Sequence, residues 1–176
     1  MSAQVLVLAG YGLNCEEETL YGFEYAGLSG QIMHINDLIA APETLNNIQV
    51  LAIPGGFSYG DDTGSGNAFA QKMKLALHDE LLSFVSRDTL TIGICNGCQI
   101  LCNLGLVPGF DGNYKDRLVT ATYNLHDRYE CRWIDVKANE SNSPWLENVA
   151  AMHIPVANGE GRFMMADETL DKLKAN

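Results

Sequence analysis

The sequence predicts an α/β protein: a mostly parallel sheet with helices on both faces, and a smaller antiparallel layer in the C-terminal half. Three observations carry that reading. Short apolar runs alternate with amphipathic stretches in the first part of the chain, the rhythm of buried parallel strands and the helices that cover them. One such run, Thr89-Leu90-Thr91-Ile92, ends in Gly93-Ile94-Cys95-Asn96-Gly97, and a helical pattern begins at once. After Pro108 the character changes to alternating strands separated by polar loops.

A chain of 176 residues is long enough for one compact domain, here expected over residues 1–176, with a substantial core. Its 47% apolar and 19% charged residues place it among soluble globular proteins. The 22 acids against 11 bases leave a formal charge of -11 and no Lys/Arg cluster, which argues against a nucleic-acid partner. The opening run Val5–Ala9 is too short for a membrane span or signal peptide and lacks a basic leader, so the expectation is a cytoplasmic protein with no membrane partner. Five cysteines at irregular spacings fit reduced thiols better than a disulfide framework.

Taken in order, Val5–Ala9 reads as a fully buried first strand. Gly10–Asn14 is a turn, with Asn14 as N-cap of a helix over Cys15–Ala26. Glu16, Glu17 and Glu18 suit a first helical turn, where the dipole favours carboxylates. Leu20, Phe23 and Ala26-Gly27 should form its sheet-facing stripe. Gln31–Ile35 is a second strand in which His34 is a satisfied core or edge residue. Ile48–Ile53 is a third, ending at the glycine-rich loop Pro54-Gly55-Gly56-Phe57-Ser58-Tyr59-Gly60-Asp61-Asp62. Such a loop at a strand's C-terminus lies on the edge where open α/β sheets bind ligands. Asn67–Val85 is helical, with Phe69, Met73, Leu77, Leu81 and Phe84 on one face. The order up to Pro108 is therefore β-α-β-β-α-β-α.

The Gly-x-Cys-x-Gly stretch has the form of a nucleophile elbow, a sharp strand-to-helix turn that lifts one side chain above the sheet edge. Gly93 and Gly97 sit where a Cβ would collide with the neighbouring strand or helix. Cys95 then stands at a helix N-terminus, where orphan N–H groups and the dipole stabilise an anion. Gly105 and Pro108 end the helix. Cys95, Cys98 and Cys102 also have the spacing C-x2-C-x3-C, but the apolar helical pattern around them makes Cys98 and Cys102 packing residues rather than metal ligands. Beyond Pro108, Leu118–Tyr123, Glu130–Val136 and Met152–Ala157 read as strands, with a polar loop at Ser141-Asn142-Ser143-Pro144, and Asp167–Lys174 as a terminal helix.

Gly93–Gln99 and Pro54–Asp61, together with Gly12-Leu13-Asn14-Cys15-Glu16, Arg128–Trp133 and Ile154–Phe163, resemble the class I (triad) glutamine amidotransferases. More narrowly they are similar to the glutaminase portion of the phosphoribosylformylglycinamidine synthases of purine biosynthesis. The resemblance runs through nearly the whole chain in the family's order and implies a flavodoxin-like sheet of the class I amidotransferase type. It implies that the Cys95 thiolate attacks the side-chain amide of glutamine, that the N–H groups of Gly56 and Asn96 form the oxyanion hole, and that Gly55, Phe57 and Gln99 hold the substrate. Ammonia would pass to a synthetase subunit, with a small accessory subunit as a further partner. No metal or cofactor is implied for this chain, since ATP and Mg belong to the synthetase.

The family also carries a His-x-Glu pair, in a His-Pro-Glu context, well downstream of the cysteine. Here only His126 and His153 follow Cys95, neither followed by x-Glu, while His78-Asp79-Glu80 precedes the elbow and reads as a solvent-facing helix patch. Asn158 stands where the family usually has His. A shortened chain, a base from another chain, or an inactive relative would each account for this, and a non-catalytic glutamine-binding or scaffold subunit is the alternative function. Cysteine hydrolases and chaperones of the PfpI type share the elbow but place His directly after the cysteine, where this chain has Asn96.

Overall fold

The structure is a computed structural model that describes residues 3–138 and 143–175. They divide into two compact units, Met1–Thr120 and Ala121–Asn176.

The first unit is built on four parallel strands: β1 (Gln4–Ala9), β2 (Ser29–His34), β3 (Val50–Ile53) and β4 (Leu90–Gly93), in the spatial order β2-β1-β3-β4. This is the start of the flavodoxin-like order, with its switch point between β1 and β3. Val5 to Leu8 are wholly inaccessible, and all of Val50–Ile53 are buried, as central parallel strands require. Alternation sorts them by face. Leu6, Leu8, Leu51 and Ile53 join one hydrophobic cluster with the helical residues Leu38, Phe69, Met73, Leu77, Phe84, Ile100 and Leu104. On the opposite face Leu20 packs over Val5 and Gly30, where a Cβ on Gly30 would meet both side chains at 2.9 Å.

The helices are α1 (Glu16–Tyr25), α2 (Ile35–Ala40), α3 (Asn67–Val85) and α4 (Asn96–Leu104). The five residues expected on the inner face of α3 are all buried. In α1 the three glutamates do occupy the first turn, but the cap is Cys15, without a side-chain bond, and Asn14 is not the cap. Leu20 and Phe23 are half-buried while Ala26 and Gly27 are exposed, because the chain turns off the sheet at Ala26 to enter β2. The second strand stops one residue early. His34 Nδ1 accepts the Asn36 N–H at 3.1 Å, capping α2, so Ile35 begins a helix instead of ending a strand. This short helix and the 3₁₀ turn Pro42–Asn47 fill the interval where the sequence predicts a direct β-β step, and the order is β-α-β-α-β-α-β-α. Gly105 closes α4 in the left-handed conformation (φ 83°).

The second unit contains β6 (Glu130–Lys137) and β7 (Ala151–Asn158), paired antiparallel over eight residues from Glu130↔Asn158 to Lys137↔Ala151. β5 (Val119–Thr122), which runs through the division, pairs with β8 (Arg162–Met165). β8 had no counterpart in the sequence reading. The Asn124 carboxamide ties this unit's loops together: it donates to the carbonyls of Arg128 and Asn158 and accepts the Gly161 N–H at 2.9 Å. α5 (Asp167–Ala175) has acids in its first turn, lysines in its last, and a Lys172–Glu168 pair at 3.2 Å. Of the expected polar loop, Ser141 and Asn142 lie outside the described residues, and Pro144–Leu146 forms a 3₁₀ turn.

The tightest constraint in the first unit is Gly97, where an added Cβ would strike the Ile53 carbonyl. Backbone cannot retreat as a flexible side chain can. Gly97→Ala is therefore expected to destabilise the protein by about 3 kcal/mol and to lower Tm by on the order of 10 °C in a thermal melt, whereas Gly22→Ala, with open space around it and an ordinary helical backbone, should leave Tm unchanged or raise it by up to about 3 °C.

Candidate active site

Parallel register decides what meets at the carboxyl edge of the sheet. Ile53 on β3 pairs with Gly93 on β4, so the two residues that follow each strand leave the sheet side by side. The result is that Gly55 lies against Cys95: a Cβ on Gly55 would be 3.4 Å from Cys95 Cβ and 3.7 Å from Cys15 Sγ. Gly93 and Gly97 make the approach possible, since a Cβ on Gly93 would sit 2.5 Å from the Gly97 carbonyl. Both glycines are thus required where the elbow geometry expects them.

Cys95 is exposed and occupies φ 54°, ψ -113°, a strained conformation for a residue with a side chain. The helix bonds start with Gly97 N–H to Ile94 O (2.9 Å) and Cys98 N–H to Cys95 O (3.0 Å). The Asn96 N–H precedes the first of these, at the positive end of α4.

The loop after β1 clamps the glycine-rich loop from the other side. Asn14 N–H donates to Gly55 O (3.1 Å), Phe57 N–H to Gly12 O (2.9 Å) and Tyr59 N–H to Tyr11 O (2.7 Å). The first two flank the bridge between Leu13 and Gly56, a pattern that turns the Gly56 N–H away from the first loop. Gly56 has φ +149°, and a Cβ there would strike the Gly12 carbonyl. Phe57 is 53% exposed, and Tyr59 stacks on Tyr11 with ring centroids 4.7 Å apart.

Asn96 contributes more than its backbone. Its carboxamide accepts the Ser58 N–H at 3.1 Å and donates to Asp61 at 3.1 Å and to Gln99 Oε1 at 3.0 Å. Asp61 in turn accepts from Ser65 Oγ (3.1 Å) and from the Gly66 N–H at the start of α3 (3.3 Å). So Gly55, Gly56, Phe57, Cys95, Asn96 and Gln99, the six residues singled out from the sequence, do gather at one place. The sequence pattern assigns no role to Asp61 or Ser58. The signal available was a short loop crowded with Gly, Ser and Asp, which says turn without saying to what the carboxylate binds.

Burial, with help from Glu18, Cys95 and Glu16, raises the Cys15 thiol above its ordinary value. Within α4, a hydrogen bond from the Cys102 thiol lowers Cys98 to about 7 and pushes Cys102 up. These two thiols serve each other, and Cys102 is buried, as a packing role requires. Of the His78-Asp79-Glu80 patch on α3, Asp79 is exposed and His78 and Glu80 are half-buried. In the second unit His126 pairs with Glu130 at 2.6 Å and His153 with Asp135 at 2.7 Å, all four side chains at least partly exposed. Among the described residues, no group of three His, Cys, Asp or Glu side chains gathers to hold a metal, and no helix is long and apolar enough to cross a membrane.

A parallel sheet with a strained cysteine at a helix N-terminus, roofed by a Gly-Gly bend, defines a cysteine-elbow protein of the α/β class. Residues 2–176 match the model of the CobB/CobQ-like glutamine amidotransferase domain, and the chain belongs to that family. It is 47% identical over 176 residues to the phosphoribosylformylglycinamidine synthase subunit PurQ of Methanococcus maripaludis, covering 100% of this chain and 65% of that protein. With the same subunit of Dehalococcoides mccartyi it shares 39% over 174 residues, 98% of this chain and 67% of the other. The chain therefore spans about two thirds of the length of these relatives. Among solved structures, PurLQS from Thermotoga maritima superimposes with a TM-score of 0.78 at 26% identity, over 96% of this chain and 72% of that one. A glutamine amidotransferase from the same organism shares the fold at 16% identity, with a TM-score of 0.56 over 95% of this chain and 64% of that chain.

Two outcomes follow from the geometry. Cys95→Gly should raise Tm by about 3 °C, because glycine relieves the φ 54° strain, worth about 1 kcal/mol net of its backbone entropy, while Cys95→Ala leaves Tm within about 1 °C. Glu18→Gln removes one negative neighbour of Cys15, so the midpoint of Cys15 alkylation against pH, followed by peptide mass spectrometry, should move down toward the ordinary thiol range.

Proposed function

We propose that the chain is the glutaminase component of a phosphoribosylformylglycinamidine synthase, a cytoplasmic ligase complex of purine biosynthesis. The observation that carries this reading is Cys95 itself, exposed and strained at the N-terminus of α4 with Gly55 packed against it. The two thirds overlap with subunits of that name supports the choice of complex.

In this reading the Cys95 thiolate adds to the side-chain carbonyl of glutamine. The carbonyl oxygen takes up the negative charge, held by the N–H groups of Gly56 and Asn96. One such donor is typically worth about 10²–10³ in turnover. Gly55 leaves room for the carboxamide, while Phe57 and Gln99 bound the rest of the substrate. Collapse of the adduct breaks the C–N bond, and the nitrogen leaves as ammonia after gaining a proton. A γ-glutamyl thioester remains on Cys95, and water hydrolyses it to glutamate. Ammonia is used by a synthetase partner, which binds the ATP and Mg; an accessory subunit completes the assembly. This chain uses no cofactor of its own.

Ammonia release and thioester hydrolysis both need a proton shuttle. His126 and His153 are engaged in the second unit with Glu130 and Asp135, which favours a second reading in which these 176 residues bind glutamine or steady the complex without turning it over.

A chloroketone analogue of glutamine, followed by intact mass and peptide mapping, separates the possibilities. The glutaminase and glutamine-binding readings both predict one adduct, on Cys95, protected by excess glutamine and lost in Cys95→Ala. Label on Cys98 or Cys131 with Cys95 untouched would refute the assignment. Turnover of glutamine by the chain, abolished in Cys95→Ala, would exclude the non-catalytic reading.

A further inference from the structure

We infer that the side chains of Asn96 and Asp61 form a positioning pair that holds the Gly56 loop in register over Cys95, so that the loop's N–H can meet the oxyanion. This deepens the glutaminase reading and rests on it.

The loop needs a restraint. Tyr59, Gly60 and Asp61 are three successive residues with positive φ (54°, 67° and 55°), a run that would relax unless its surroundings hold it. The hydrogen bonds from the β1 loop hold it on one side only, at Gly55, Phe57 and Tyr59. On the side of α4 the link is Asn96, which is 1% exposed and reaches the Ser58 N–H, two residues beyond Gly56. Ser58 is equally buried, at 1%. The orientation of the Asn96 carboxamide follows from its neighbours. The Ser58 amide only donates and the Asp61 carboxylate only accepts, so Oδ1 faces Ser58 and Nδ2 faces Asp61.

Asp61 is itself fixed by Ser65 and by the Gly66 N–H at the start of α3. Through this pair the elbow, the glycine-rich loop and the start of α3 are one hydrogen-bonded body. The Asn96 backbone and side chain then do two separate things: one N–H lies at the oxyanion, while the carboxamide sets where the opposing donor lies.

The test uses two probes of the full chain. Glutamate γ-semialdehyde, whose open-chain aldehyde is in equilibrium with the cyclic imine made by its own α-amine, forms a reversible thiohemiacetal with Cys95: sulfur bonds to the carbon of the open-chain aldehyde, the C=O π bond opens, and the thiol proton ends on the oxygen or in solvent. The cyclisation equilibrium is common to all variants and cancels in their comparison. Its affinity reads the oxyanion donors. Iodoacetamide alkylates the same sulfur by displacing iodide, with no oxyanion, and its rate reads only the thiolate and its access. Asn96→Asp sets two carboxylates against each other and is expected to weaken the semialdehyde about tenfold; because the added carboxylate also raises the adjacent Cys95 thiol, the iodoacetamide rate is compared on its high-pH plateau, where it should stay within about threefold. Adding Asp61→Asn restores a bonded pair with donor and acceptor exchanged, at the original net charge, and should return the affinity to within about threefold of the wild type. Should Asn96→Asp fail to fold, Asp61→Ala breaks the pair without burying a charge and is expected to give the same selective loss.

An unchanged semialdehyde affinity in the broken-pair variants overturns the inference. So does an equal loss with both probes, or an exchange that rescues nothing. If the wild type itself forms no adduct with the semialdehyde at Cys95, the glutaminase reading falls and the positioning pair with it. If the wild type binds and the variants bind equally, only the pair is lost.

Discussion

The contact between Gly97 and the Ile53 carbonyl is the constraint on which the site depends. A helix that begins directly after a strand can only stay over the sheet if its first turn lies almost on the neighbouring strand. Here that neighbour is β3, and the first turn reaches it because residue 97 has no side chain. Once α4 is seated this closely, parallel register does the rest. Gly93 stands beside Ile53, so the bend after β3 and the turn after β4 are neighbours, and Cys95 emerges against Gly55. Any Cβ at 97 would push α4 outward and separate the thiol from the loop above it.

Holding the two loops together has a cost in backbone strain and in buried polarity. Cys95, Tyr59 and Asp61 all have φ near 54°, and Asn96 and Ser58 are almost wholly out of water. A buried carboxamide is tolerated only when its donors and acceptor are met, and Asn96 meets them with two residues of the glycine-rich loop and one of its own helix. The same residues that pay for the strain in polar contacts leave Cys95 exposed. The hydrophobic cluster of α3, α4 and the sheet lies beneath as a rigid base, which is the arrangement in which a loop can hold reacting groups to a fraction of an ångström.

The parts of the fold that were legible in the sequence are those with a strong local signal. Val5–Ala9 and Val50–Ile53 are unbroken apolar runs, and the α3 stripe keeps its period through six buried residues. The elbow was legible because glycine at 93 and 97 admits few other uses. What escaped was decided by weak or non-local signals. α2 is six residues long, too short for a period to show, and it is started by a histidine accepting an N–H through its ring, a capping role outside the usual Ser, Thr, Asp and Asn. α1 departs from its expected stripe because β2, which it leads into, is the edge strand of the sheet, and the turn at Ala26 and Gly27 faces solvent.

By itself the sequence determined the cysteine at the strand-to-helix turn, the two glycines that seat it, the parallel strands beneath it and the family of glutamine amidotransferase domains, since each rests on residue type at fixed local spacing. Only the tertiary structure decided that Asp61 reaches Asn96 and that Asn96 reaches Ser58. Those partners are 35 and 38 residues apart in the chain, and no pattern along the chain encodes which carboxylate a buried amide will meet. That pairing is set by the register of β3 against β4, a property of the folded sheet alone.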